Sequence, residues 1–313
     1  MTEFGVSLPN IGMHDPQAIR LVAEQAESAG LDSVWAADHI VLPTGETSPY
    51  PYHIDGDFLI PAGMPFMDQF TCLSYVAGIT KSVKLGTAVN LLPLRHPLAI
   101  AKTVATLDVL SGGRAILGVA AGWLAQEYDA LGLEFKHRGR MLDEGLDVLK
   151  EIWTESNASF EGEFYRFKDM AAFPQPMQKP YPPIWVGGHT MPVKRRVARV
   201  GDVWLPPLFG TSPQQLAESF EGVRDMAEQQ GRRRTDVSLA LRVLVDLREE
   251  PDRSGPETRG ALLGPAGHVA EVLADYIEIG VSHFVLLPQA RTLGDVQRTV
   301  AMLAEQVIPQ LRS

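Results

Sequence analysis

What most constrains this chain is an alternation that runs its whole length: apolar runs of strand length are separated by segments whose apolar residues recur at helical spacing. Residues 4–8 form the first apolar-rich run. Asp15 and Pro16 then open a segment in which Ile19, Val22, Ala23 and Ala26 share one helical face, and Gly30 stands where a helix C-cap glycine belongs. The run 33–39 is strand-like again. Strand, helix and strand in so short a stretch make a βαβ unit, which requires the two strands to be parallel.

The same reading predicts helices over 68–81, 97–110, 138–154, 192–200, 213–230, 267–279 and 293–311, with strands over 84–92, 114–121, 184–188, 203–207, 237–247 and 283–287. Eight strands, each followed by a helix, fit a closed (β/α)8 TIM barrel better than an open doubly wound sheet. Residues 1–313 therefore read as one α/β domain. Three insertion loops interrupt the units. Residues 41–66 carry five prolines together with Tyr50, Tyr52 and His53. Residues 157–183 include SFEGEFYRF, which alternates like a hairpin, and then a proline-rich connection. Residues 248–266 are polar, and REEPDRSG is expected to be the most mobile segment. A barrel builds its active site from the loops at strand C-termini, so 41–66, following the second strand, ranks first as a lid or binding loop.

Composition removes several functions. With 28 basic against 38 acidic side chains, a net charge of −10 and no Lys/Arg tract, the chain lacks the footprint for nucleic acid. A single cysteine, Cys72, forms neither an internal disulfide nor a thiolate metal site, and the eight histidines are scattered singly, so no metal is expected. No apolar run approaches the ~20 residues that span a membrane. The start MTEFGVSLPN has no basic-then-apolar leader, and a cytoplasmic location is expected.

Candidate chemistry lies at the strand ends. Asp38 and His39 close the second strand and point to opposite faces, so one of them faces the barrel mouth; His39 is the first catalytic candidate. The third strand, KLGTAVNLLPLRHP, carries Gly86, Thr87 and Ala88 where a flat ring could approach the backbone, followed by Val89 and Asn90. Arg95 and His96 precede Pro97 and read either as an anion site or as an ordinary cap. The fourth strand ends GVAAGW, small residues beneath Trp123, which walls a pocket or staples the next helix. The fifth ends IWVGGHTMP, and Gly187, Gly188, His189 and Thr190 before a helix N-terminus suit a phosphate. No GxSxG, Walker A or HExxH sequence occurs, which leaves the chemistry to a cofactor.

WAADH, LGTAVNLLPLRHP, AKTVATLDVLSGGRAILGVAAGW and PPIWVGG together resemble the luciferase-like monooxygenase superfamily over nearly the whole chain, closest to its coenzyme F420-dependent oxidoreductase branch. The resemblance implies a barrel that binds F420, or alternatively FMN, with the ring in the mouth beside a non-prolyl cis peptide at Ala88–Val89. Asp38 and His39 match the pair that approaches the cofactor in F420-using relatives, and Gly187 to Thr190 match its phosphate loop. Asn90, next to the cis pair, is grouped with the cofactor-binding residues. One departure concerns Trp123, which stands where F420-dependent sugar-phosphate dehydrogenases carry an acidic glutamate. Glu127, one helical turn beyond with Gln126, takes that place only if its helix turns toward the mouth.

The activity implied is hydride transfer between F420 and a small organic substrate, with His39 positioning or protonating near the ring and Trp123, Tyr52 and Phe66 lining the substrate pocket. The alternative is an FMNH2-dependent two-component monooxygenase that uses O2 and a separate reductase; a further one is a non-catalytic flavin-binding protein. A homodimer is implied by the resemblance.

Overall fold

The computed structural model describes every residue except 14, 54, 59, 250–260, 291 and 313. Its strands are β1 (Glu3–Ser7), β2 (Ser33–Ala36), β3 (Lys84–Thr87), β4 (Asn90–Leu91), β5 (Ala115–Ala120), β6 (Ala158–Glu161), β7 (Arg166–Met170), β8 (Ile184–Gly187), β9 (Val203–Leu205), β10 (Ser238–Leu247), β11 (Ala261–Gly264) and β12 (Val281–Pro288). Its helices are α1 (Pro16–Ser28), α2 (Gln69–Ile79), α3 (Pro97–Ser111), α4 (Ala125–Ala130), α5 (Arg138–Thr154), α6 (Met191–Val200), α7 (Pro213–Gln229), α8 (Ala266–Glu278) and α9 (Leu293–Met302).

Strands β12, β1, β2, β3, β5, β8, β9 and β10 lie side by side, all parallel. Pairing of Ser238 with Val203 on one edge of β10, and of β10 with β12 on the other, closes the circle. The result is the expected eight-stranded (β/α)8 barrel. Local chemistry agrees with the element starts: Asp15 and Asp68 cap α1 and α2 with their carboxylates, and Ser212 forms a capping box with Gln215 on α7.

Four elements depart from the sequence expectation. The third strand is split into β3 and β4 by the cis bond between Ala88 and Val89. The short α4, six residues long, stands where the sequence shows no helical period. The last helix breaks after Met302 into a π turn, Leu303–Val307, where Pro309 has no N–H to continue the α-helical ladder. Within 248–266, the apolar ALLG of β11 is buried and pairs with Leu244 to Leu247, the end of β10 that outruns β9. Of REEPDRSG, only Arg248 and Glu249 fall among the described residues. The 157–183 insertion does form a hairpin, β6 against β7.

Because side chains alternate along a strand, residues two apart stack in layers inside the barrel. Glu3, Ser33, Lys84 and His283 share the lowest layer. The indole N–H of Trp35 donates to Ser33 Oγ at 2.7 Å, and Ser33 Oγ lies 2.8 Å from His283 Nε2. His283 Nδ1 lies 2.9 Å from Glu3 Oε2, which also takes the Lys84 ammonium. An indole only donates and a carboxylate only accepts, so in the neutral ring Nδ1 carries its proton to Glu3 and the serine proton goes to Nε2. Burial pushes the pKa of His283 down and so favours that neutral form.

The middle layer holds Trp35, Ile116, Trp185, Ala240 and Val285, with the two indoles 4.8 Å apart. Room for Trp35 comes from glycine: a Cβ on Gly86 would stand 2.2 Å from its ring, and one on Gly5 would stand 2.4 Å from its Nε1. Further toward the strand C-termini the same inward rows carry Ala37, Ala88, Ala120 and Gly187, all small, with Leu205, Leu287 and Arg242 as the large side chains.

Candidate active site

Above this layer opens a cavity of about 580 Å³, framed by the strand C-termini. Its floor is Ala37, Ala88, Ala120 and Gly187, and one wall is aromatic. Loop 41–66 supplies that wall as expected, with Tyr50, Tyr52, Phe58 and Phe66. The 157–183 segment supplies no lining residue, because it leads from a helix into β8 and so precedes a strand instead of following one.

His39 lines the cavity, its side chain 10% exposed. The rings of Phe58 and Phe66 both meet it edge-on at 5.6 Å, and Trp123 does so at 6.3 Å. Trp123 in turn packs on Phe58 at 4.8 Å and on Tyr50 at 5.1 Å, so it serves as pocket wall. Behind the imidazole, α4 does turn inward. Glu127 is buried, with Oε2 2.7 Å from His39 Nδ1 and Oε1 accepting from the amides of Ile40 at 2.6 Å and Val41 at 3.3 Å. A carboxylate held by two amides is a fixed acceptor. It keeps the proton of the ring on Nδ1 and leaves Nε2 as the nitrogen not committed to protein.

Asp38, the neighbour of His39, has another occupation. Its carboxylate receives both guanidinium nitrogens of Arg95 at 2.7 and 2.8 Å, the amide of Leu91 at 2.9 Å and the Asn90 side chain at 3.1 Å. The residue borders the cavity, but its oxygens are spent on anchoring the start of β4. Asn90 is fully buried in this network and is not among the cavity-lining residues, which corrects its grouping with Ala88 and Val89. Arg95 is thus an ion-pair partner for Asp38, and His96 caps α3.

On the far side, Gly187 to Thr190 lead into α6. A Cβ on Gly187 would stand 2.9 Å from Val89 Cγ1; Gly188 has φ +114, and a Cβ there would meet Val193 at 3.1 Å and Tyr52 Oη at 3.3 Å. The Gly188 N–H is taken by Leu205 O at 3.2 Å, so glycine does not free that amide. Thr190 is the N-cap but makes no side-chain cap bond, which leaves its hydroxyl and the first-turn N–H groups open. His189 is kept toward the neutral form by burial and by Lys194. Tyr52 lies at this end of the cavity, 5.4 Å from His189, and burial raises its phenol to about 12. It therefore covers the glycine loop, away from the Phe66–Trp123 group.

These features fit a flat, phosphate-bearing cofactor: a floor mostly of small side chains, aromatic walls, and an uncapped helix N-terminus behind glycines that a Cβ would close. Two site residues escaped the sequence reading, Glu127 as the partner of His39 and Arg242 on the floor. His53, Asp55 and Asp57 also bring ligand atoms within 4.8 Å of one another on loop 41–66, a grouping that a count of histidines alone missed. Among the described residues, no helix is long and apolar enough to cross a membrane.

A barrel whose mouth offers such a chamber, with His39, His189 and Arg242 among its polar lining, fits an oxidoreductase working through a bound redox cofactor. The chain belongs to the luciferase-like monooxygenase family, whose sequence profile matches residues 2–254. It is 32% identical to an F420-dependent glucose-6-phosphate dehydrogenase of Kineococcus radiotolerans over 76% of this chain and 66% of that one. Its fold is similar to that of an F420-dependent secondary alcohol dehydrogenase in complex with an F420-acetone adduct, with TM-score 0.80, 18% identity and coverage of 100% and 99%. It is equally similar to the monooxygenase RslO1 from Streptomyces bottropensis, with TM-score 0.79, 23% identity and coverage of 98% and 99%.

Proposed function

We propose that the protein is an F420-dependent oxidoreductase that moves a hydride between the deazaflavin and a small organic substrate. The observation that carries this reading is the His39–Glu127 pair at the cavity wall, a proton-handling group with a fixed tautomer beside a floor of small residues. The F420-dependent relative supports the same choice of cofactor.

When bound, F420 supplies the two-electron chemistry. The residues of this chain do the rest. The uncapped start of α6, with Thr190, holds a phosphate. The Ala88–Val89 backbone and Gly187 let a ring approach the barrel. Tyr50, Phe58, Phe66 and Trp123 exclude water from one side. His39 Nε2 gives or takes a proton at the substrate heteroatom, and Glu127 stabilises the imidazolium whenever that nitrogen is protonated.

Titration with F420 and with FMN, each oxidised and reduced, tests this through tryptophan fluorescence, since Trp123 lies in the wall. Selective F420 binding is expected. Selective binding of reduced FMN, with O2 consumed on adding a reductase, would replace the proposal with the monooxygenase reading.

A further inference from the structure

The charged groups named below are partnered within the protein, with one exception on the cavity floor. Each carboxylate at the wall already has its partners: Asp38 has Arg95, and Glu127 accepts from His39 and two amides. The cation Arg196 is likewise matched, by Asp143 at 2.6 Å, and Lys136 by Glu134 at 2.6 Å. Arg138 covers the Phe135 ring at 3.9 Å and donates to its carbonyl.

Arg242 has no such partner. It lies two residues beyond Ala240, which packs against the tryptophans inside the barrel, so its side chain enters the lumen in the layer of Ala37 and Ala88. Among the described residues it makes no ion pair and no side-chain hydrogen bond, and its Nε is buried without a partner. It borders both the main cavity and a smaller void of about 60 Å³ beside Asn10. The Tyr52 hydroxyl, on the same cavity, is also without an acceptor among the described residues and stays protonated, its pKa raised by burial. An arginine that faces a cavity with no counter-charge, its Nε buried and unpaired, is stabilised when an anion arrives.

We propose that Arg242 receives the carboxylate of the organic substrate, which places the substrate in the class of aromatic or hydrophobic carboxylates. The planar guanidinium matches the two oxygens of a carboxylate, and the rings of Phe58, Phe66 and Trp123 suit the apolar body. This deepens the oxidoreductase reading of the cavity and rests on it. F420 also carries carboxylates, on its tail, and the experiment separates the two sources.

Wild type, R242M and R242K are titrated by calorimetry with benzoate and 2-naphthoate against benzamide and 2-naphthamide, with and without F420, and with F420 alone. The wild type is expected to prefer each acid over its amide by about tenfold or more. R242M loses that preference, R242K keeps part of it, and F420 affinity stays within about twofold in both. Equal binding of acid and amide to the wild type, or a preference that survives in R242M, overturns the proposal. A tenfold loss of F420 affinity with the acid preference intact also overturns it and assigns the guanidinium to the cofactor. Should R242M fail to fold, the wild type and R242K decide. Should the wild type bind no F420, the cofactor reading fails, while the acid-against-amide comparison on the free protein still stands.

Discussion

Nδ1 of His39 and Oε2 of Glu127 are 2.7 Å apart, across 88 residues of chain, at the join between the β2 loop and the six-residue α4. The contact couples the imidazole next to Trp123 to a carboxylate that two amides hold still. Glu127→Gln should therefore lower kcat by about 10- to 100-fold, with cofactor affinity little changed. Nitrogen chemical shifts of His39 should show the tautomer mixing in the variant, and Glu127→Asp should recover part of the rate. An unchanged tautomer with a lowered rate would deny Glu127 its positioning role.

Gly187→Ala should weaken the cofactor more than the fold. Its new methyl would press on Val89 Cγ1 at 2.9 Å, and Val89 lines the cavity that the ring needs. An affinity loss of about tenfold is expected, from overpacking worth about 1–3 kcal/mol. Equal affinities in fluorescence titration would remove the glycine loop from the binding site.

Gly86→Ala is expected to act on stability instead. The methyl would stand 2.2 Å from the Trp35 ring, which is fully buried between Trp185 and glycines on two strands. Either the indole leaves its rotamer or β3 moves, at a cost of about 3 kcal/mol or more. Denaturant unfolding of the variant measures it, and a midpoint equal to wild type would contradict the layer described.

Acid should unfold the protein by way of its lowest layer. Glu3 is held down to about 2 by the His283 hydrogen bond, and burial holds His283 below its ordinary value. Both groups bind fewer protons folded than unfolded, so both contributions are present at neutral pH. That of His283 is lost as pH falls below the ordinary histidine value near 6.5, and that of Glu3 between 4.5 and about 2. Melting temperature should fall across both windows, and Glu3→Gln should flatten the lower one. A wild-type profile with no slope from pH 7 to 3 would count against the hydrogen-bonded arrangement.

The barrel was legible because its strands are covered on both faces and its helices on one, so two periods alternate without interruption. The long α5 matches its expected limits, 138–154, since its apolar stripe and its Thr154 end are both local signals. What escaped is short or depends on partners. The α4 helix has one and a half turns, too few to show a period, and the role of Glu127 exists only because α4 packs behind β2. The ALLG strand hid behind a polar flank. For Arg242 a signal was present: LALRVLV has one charge amid apolar residues on a strand buried on both faces, where an arginine has no ordinary reason to be. The aromatic wall was anticipated, but the turn of loop 41–66 that sends Tyr52 to the glycine loop comes from contacts with His189 and Phe209, far away in sequence.

The chain Ser33, His283, Glu3 at the base of the barrel has the spacing of a hydrolase's nucleophile, base and acid, at 2.8 and 2.9 Å. A template built from those atoms alone would label this protein an esterase. Two things disarm it: Ser33 is fully buried, and its oxygen already receives the indole proton of Trp35. An acylating probe for serine hydrolases should leave the native protein unlabelled. In this barrel the same constellation works as a bolt, joining the starts of β1, β2 and β12 so that the opposite end stays open for chemistry.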